Sequence, residues 1–470
     1  MRLVKLIMLN KSELFIIRHA AVIFFIACVL PASKAQDNSP YSRYGLGDKT
    51  PTGNVISRSM GGINAAHNDY YDVNYNNPAS YAYYEANQEL KSKKLNSGRA
   101  ILNIAVNNDN RIIVDSKTKT KFNASNLLFS NVMLGVPLRK NWGMAFGIRQ
   151  LHNIDYKILD SNKIVNDANK LFIDKGQTLF EGNGGLYLPT IGTGFKFKLA
   201  KSQFLSFGFN GGYTFGKKDY ATRRSLANDS TAYSSAFHQT STTLGGAYFD
   251  AGMQYHFKLS KKVYMGVGAY GNVKQKLHTK KDYLTGTYIY NENVGYQPID
   301  TVAFSKNVKG TIAYPSGFTA GFIIQKPQET IKDAGWLFGM DFTKNNWDDY
   351  RVDGVKDNLI KSDWQLKMGA EFHPIRKNNY FSNVAYRVGF HTGPDYVYPK
   401  KELPSYGLSF GMGLPVANYS PQAKYQRTLI NLALEYVKRG NDKNILKENL
   451  YRISVGFALT DLWFGKRRYD

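Results

Sequence analysis

The stretch Tyr451-Arg452-Ile453-Ser454-Val455-Gly456-Phe457-Ala458-Leu459 decides the fold class. Its odd-numbered positions are apolar or aromatic, and its even-numbered ones are charged or small. Successive side chains of an extended strand point to opposite faces, so this stretch reads as a strand with one apolar and one polar face. The same period recurs upstream. Ile430, Leu432, Leu434 and Tyr436 alternate with Asn431, Ala433 and Glu435; Tyr406, Leu408, Phe410 and Met412 alternate with glycines and Ser409. Trp364, Leu366, Met368, Ala370 and Phe372 alternate with Gln365, Lys367, Gly369, Glu371 and His373.

We read fourteen such segments, starting near Ala100, Leu127, Trp142, Tyr187, Phe204, Leu244, Val263, Gly317, Trp336, Trp364, Tyr386, Tyr406, Thr428 and Leu450. Their connections alternate in length. Short ones such as 139–141, 201–202 and 260–262 follow long ones such as 108–126, 152–184, 216–243 and 274–315. An even strand count with short turns at one end and long loops at the other is the build of an outer-membrane barrel. A soluble sandwich would carry turn signals at more regular spacing. The expected fold is therefore all-β, a 14-stranded antiparallel transmembrane β-barrel with both termini in the periplasm. Trp142, Trp336, Trp364, Tyr213 and Phe215 fall at segment ends, where interfacial aromatic girdles sit.

Composition and the N-terminus agree. Of 470 residues, 14% are aromatic and 21% charged, which excludes a disordered chain. Arg2, Lys5, Lys11 and Arg18 precede the apolar run from Ala20 to Leu30, and Ser33-Lys34-Ala35 offers small residues for cleavage. That is a signal peptide cleaved near Ala35, too short to span a bilayer as a helix. The sole Cys, Cys28, leaves with it, so disulfide and thiol chemistry are excluded from the mature chain. The expected organisation is a signal peptide at 1–35, an N-terminal segment at 36–96 and the barrel at 97–470.

The segment 36–96 does not alternate. Gly45, Gly47, Gly53, Gly61 and Gly62 with Asn74, Asn76, Asn77 and Pro78 are turn chemistry. It is long enough to fold back and fill a lumen that wall side chains of fourteen strands cannot fill alone. Ser57-Arg58-Ser59-Met60-Gly61-Gly62, followed by Asn68-Asp69 and Asn77-Pro78-Ala79, resembles the N-terminal signature of the long-chain fatty-acid transporter family, FadL/TodX. The resemblance implies a hatch, or plug, in the lumen, with Met60, Gly61, Gly62, Asn77, Pro78 and Ala79 as its motif. Ser39-Pro40-Tyr41-Ser42-Arg43-Tyr44-Gly45 and the closing 463–470 are similar to FadL-like barrels of Bacteroidetes, among which PorV-like proteins serve secretion machinery. The family implies passage of a small hydrophobic compound; the PorV-like group implies a non-catalytic subunit of an outer-membrane secretion or assembly complex.

The polar faces place Arg149, Asp250, Gln254, Asp341, Lys367, Glu371 and Arg387 toward the lumen. A cation there could hold a ligand carboxylate. The charges could equally pair with one another. No enzyme is expected. Gly407-Leu408-Ser409-Phe410-Gly411 matches a hydrolase elbow, but it continues an alternating strand instead of turning into a helix. Gly266-Val267-Gly268-Ala269-Tyr270-Gly271 lacks the helix that a dinucleotide motif needs. The histidines show no ligand spacing, so neither metal nor cofactor is expected. Basic pairs Lys217-Lys218, Arg223-Arg224 and Lys280-Lys281 fall in long connections and suit the phosphates of lipopolysaccharide and membrane lipid; nothing suggests nucleic acid.

Overall fold

A computed structural model describes residues 39–88, 95–166, 171–227, 234–291, 293, 295–416 and 426–463. The expected signal peptide and the stretch 464–470 lie outside the described residues. The strands in chain order are β1 (Asp48–Lys49), β2 (Ala86–Gln88), β3 (Leu95–Asp115), β4 (Lys121–Arg139), β5 (Trp142–Asn166), β6 (Leu171–Ala200) and β7 (Gln203–Ala227). They continue with β8 (Ser235–Lys258), β9 (Tyr264–Asn272), β10 (Gln275–Asn291), β11 (Gly295–Tyr314), β12 (Gly317–Lys326) and β13 (Gly335–Asn345). The remainder are β14 (Arg351–Val352), β15 (Val355–Lys356), β16 (Asp363–His373), β17 (Ala385–Pro394), β18 (Pro404–Val416), β19 (Arg427–Arg439) and β20 (Leu446–Trp463).

All pairings are antiparallel, and β20 closes the ring on β3 from Leu446↔Asp115 to Trp463↔Gly98. β9 runs on into β10 and β11 into β12, while the short strands β1, β2 and β14 add brief pairings to β5, β3 and β11, and β15 pairs with β14. The wall is thus a closed 14-stranded barrel. Closure is what the bilayer demands, because lipid offers no partner to an open edge. The parity read from sequence sets the faces. Phe209, Leu408 and Leu434 are more than half exposed on the outside, whereas Asn210, Ser409 and Glu435 beside them are buried inside. Trp336 and Phe372 ring the short-turn end, and Trp364 and Tyr406 the long-loop end.

Two expectations are corrected. The long connections are mostly strand: β5 and β6 run together to Asn166↔Leu171, β7 and β8 to Arg224↔Ala236, and 275–314 is the hairpin β10–β11. Beyond the bilayer both faces meet water, so the apolar alternation stops while backbone pairing continues. The second concerns the N-terminal end. Ser39 hydrogen-bonds Glu448 at the long-loop end, not at the periplasmic short-turn end. The described chain descends the lumen from there, passes β2, and enters β3 from the short-turn side.

One irregularity in the wall bears on function. β4 pairs with β5 only between Arg139↔Trp142 and Asn131↔Arg149. Above that point β4 pairs with β3 alone, and β5 takes β1 as its neighbour instead, through Asp48↔Asn153 and Lys49↔His152. A side-chain bond from Asn126 Nδ2 to Asp155 Oδ2, 2.8 Å, spans the parted strands.

Candidate functional site

The site is formed by polar side chains of the wall and the residues 39–88 that bond to them. The segment folds by local capping. Ser39 Oγ accepts from Tyr41 N over a 3-10 turn, Pro40–Arg43. Asn54 Oδ1 accepts from Ser57 N, 2.9 Å, at the head of the short helix Val55–Ser59. Met60-Gly61-Gly62 ends that helix: Gly62 N donates to Ser57 O at 2.9 Å, and both glycines have positive φ, +69° and +90°. Gly61 also donates its N–H to Ser409 Oγ, 3.0 Å, so the serine of the dismissed elbow pattern holds the segment. A Cβ at Gly389 of the facing wall would land inside the backbone of Met60 and Gly61.

Asn77-Pro78-Ala79 opens a second 3-10 turn, Pro78–Tyr83. Asn77 Oδ1 accepts from Ala79 N at 3.1 Å, while Nδ2 donates to Ala65 O at 2.6 Å and reaches Met253 O of the wall at 3.3 Å. One amide therefore caps a turn, ties two parts of the segment together and docks both on β8. The backbone of Pro78 lies against Gly208, where a side chain would not fit.

The polar residues assigned to the lumen from sequence make the following contacts. Gln254 Nε2 donates to Ala65 O and His67 O at 3.1 and 3.3 Å. Asp341 Oδ2 accepts from the backbone of Asn64 and Ala65 at 2.7 and 2.9 Å. Lys367 Nζ donates to Thr52 Oγ1, 3.1 Å, and Arg149 donates to Asn76 Oδ1, 2.6 Å. Arg149 also lies 3.4 Å from Asp250, which in turn accepts from Asn210 Nδ2 at 2.7 Å. Glu371 pairs with Arg387 at 2.5 Å and with His373 at 2.7 Å. Gln254, Asp341, Lys367 and Arg149 grip the segment; Asp250, Glu371 and Arg387 bond within the wall.

Sequence reasoning missed a second set. Asp48 of β1 lies 2.9 Å from Arg439 and 3.2 Å from Arg111. Arg111 reaches Glu448 at 2.9 Å, and Arg439 reaches Asp395 at 3.1 Å. Arg452 grips Asp109 through two nitrogens at 2.6 and 2.7 Å and Glu435 at 3.2 Å. Arg58, 2% exposed, donates to Asn107 Oδ1 at 2.5 Å. The signal was present, since Glu435 and Arg452 occupy the polar face of the clearest strands. Asp109, the other partner of Arg452, lies in a stretch without a period. Between these charges lies a cavity of about 300 Å³ bordered by Arg58, Arg111, Arg149, Lys367, Asp250 and Glu435. Above it, Trp347, Tyr350 and Tyr396 from two long connections close over Tyr41 and Leu46, with the Trp347 and Tyr396 rings 4.3 Å apart.

The basic pairs also sort themselves. Lys218 turns inward and donates to Gly45 O at 2.6 Å, while Lys217 faces out. Arg223 is paired to Glu181. Among the described residues no group of three His, Cys, Asp or Glu could hold a metal ion.

A closed, fourteen-stranded antiparallel barrel defines the class: an outer-membrane β-barrel with the fold of the FadL/TodX channels. Solved structures of that fold include the P. putida toluene transporter TodX, 13% identical, covering 87% of this chain and 98% of that one with a TM-score of 0.50. The CymD monoaromatic hydrocarbon channel is 12% identical, covers 87% and 97%, and has a TM-score of 0.49. A Pseudomonas aeruginosa FadL homologue is also 12% identical, covers 89% and 99%, and has a TM-score of 0.48. The chain belongs to the BamG family, whose profile matches residues 16–470. No curated protein matches it.

Proposed function

We propose that this protein is a gated, non-enzymatic outer-membrane channel for small hydrophobic compounds, with residues 36–96 as the hatch. The observation that carries this reading is the parting of β4 from β5 above Asn131↔Arg149, where β1 of the segment stands in for a wall strand. An apolar solute reaching this seam could leave sideways into the bilayer, provided that β1 shifts. Leu127 is exposed beside the seam and Leu151 partly buried behind it. TodX, a toluene transporter and monoaromatic hydrocarbon channel, supplies the solute class proposed here.

Val55 and Ala433 pack together, so Val55→Cys with Ala433→Cys would tie the segment to β19. The oxidised pair should abolish uptake of a hydrophobic fluorescent probe into vesicles, and reduction should restore it. Uptake unchanged by the bond would end the gating proposal.

A second reading, a non-catalytic subunit of an outer-membrane secretion or assembly complex, is favoured by the lumen's polarity. The cavity is bordered by cations and carboxylates, and several of those same groups clamp the segment. Purification with a stoichiometric partner, and no uptake by the barrel alone, would replace the first reading with this one.

A further inference from the structure

The hairpin β10–β11 rises above the rest of the wall, and its height can be read from the strands. Outward-facing Phe207, Phe209, Tyr213 and Phe215 of β7 are followed by Lys217. Lys217 pairs with Thr243, Thr243 with Lys280, and Lys280 with Lys309. This row of lysines marks the outer edge of the apolar band. Residues 299–306 of β11 lie roughly 10 to 30 Å further along the strand, at about 3.3 Å per residue. At that height there is no hydrocarbon. Yet Ile299, Val302 and Phe304 are 59%, 67% and 60% exposed.

One edge of 299–306 is bonded to β10. Among the described residues nothing pairs with the other edge, where β14 meets β11 only at Ile312 and Ala313. Both faces of the stretch are open. A long strand edge with exposed apolar side chains in water is a template for another strand.

We propose that 299–306 is the docking edge for an extended segment of a different outer-membrane or surface protein. That segment would be apolar at alternate positions and bear a carboxylate opposite Lys306. The internal links of this chain cannot supply it. Stretches 89–94 and 417–425 link strand ends at the short-turn side, and 167–170 and 228–233 are short links between adjacent strand ends. A second copy fits poorly. Two barrels in one membrane are related by rotation about the membrane normal, so their β11 strands point the same way. In-register pairing would then set Lys306 against Lys306 and Lys309 against Lys309, and like charges directly opposite oppose pairing. The inference deepens the complex-subunit reading and does not depend on passage through the lumen.

The test is hydrogen exchange of the full chain in native outer-membrane vesicles, comparing wild type with the double variant Val302→Lys and Phe304→Lys. Amides of 299–306 should exchange at least tenfold slower in wild-type membranes than in the chain purified as a monomer. The variant should lose that protection while 277–281, paired to β8, keeps its own. A photo-crosslinker at Val302 in intact cells should give one heterologous adduct that is lost with Phe304→Lys. Equal exchange in membranes and monomer overturns the proposal, as does protection that survives the double variant. An adduct of twice this chain's mass assigns the edge to a second copy and likewise overturns it.

Discussion

Residues 39–52 and residues 55–84 both bond to residues of the wall but are held by different forces. The first stretch is held by charge: Asp48 sits between Arg439 and Arg111, Lys49 meets Asp363, and Gly45 O takes the Lys218 ammonium. The second is held by shape. Met60 and Gly61 press against Gly389 and Pro78 against Gly208, and hydrogen bonds of Asn77, Asp341 and Arg149 finish the contact. Charge at close range is strong but unforgiving, because a buried ion that loses its partner keeps its desolvation cost. Close backbone approach makes no such demand, but it tolerates no added atom. The upper half should therefore respond to removing a group, and the lower half to adding one.

The sharpest way to break this contrast is Arg439→Met. It leaves Asp395 without its cation and Asp48 with Arg111 alone, and should cost about 3–5 kcal/mol, read by denaturant unfolding in micelles. Adding Asp48→Asn should recover part of the loss, since coupled sites are not additive. A double variant as unstable as the sum of the singles would show that the pair is not what holds this half.

Next comes Leu434→Arg, a control on the lipid face, expected to cost about 2–4 kcal/mol near the midplane. Ala433→Arg should not be milder, as parity alone would suggest. Ala433 is fully buried against Val55, so an arginine would collide with the segment before reaching any lumen water. Loss of heat-stable migration in the first variant, and freeing of the segment to protease in the second, would separate the two causes.

Gly389→Ala is the matching test of the lower half, at about 1–3 kcal/mol, because the segment must retreat for a single methyl. Limited proteolysis between residues 60 and 70 should report it. Unchanged protection would mean that the contact is looser than the geometry implies.

The smallest effect belongs to the hairpin base, outside the membrane. The Lys281 ammonium, then the Thr311 N–H, hold the Asp353 carboxyl below the usual carboxylate range. A lowered native pKa means that this contact is fully present above the unfolded value of about 4, and fades as pH falls through the native one. Asp353→Asn should abolish that dependence in the Thr311 amide exchange and leave barrel stability unchanged.

How much was readable in the sequence follows from the same physics. Lipid imposes a period of two on every wall strand, and Tyr451 to Leu459 displays it without ambiguity. Above the lysine row water bathes both faces, so β10 and β11 looked like loop. Inside, Gln254 and Asp341 could be aimed at the lumen by parity, but what they would meet there could not. The residues they bind, Asn64 and Ala65, follow no period, and only turn chemistry such as Asn77-Pro78-Ala79 hinted that they fold at all. Arg58 was quoted within a motif without any sign that it would be buried.

The position of Ser39 at the long-loop end, with β20 zipped to β3 along its whole length, has a temporal consequence. A ring that closed first would have to be threaded lengthwise by its own leading end, past the backbone contacts at Gly389 and Gly208. Biogenesis avoids that passage only if the N-terminal residues are laid along the growing sheet while it is still open. The final event is then the joining of the first wall strand to the last, and a chain delayed in settling its leader would stall as an unclosed sheet.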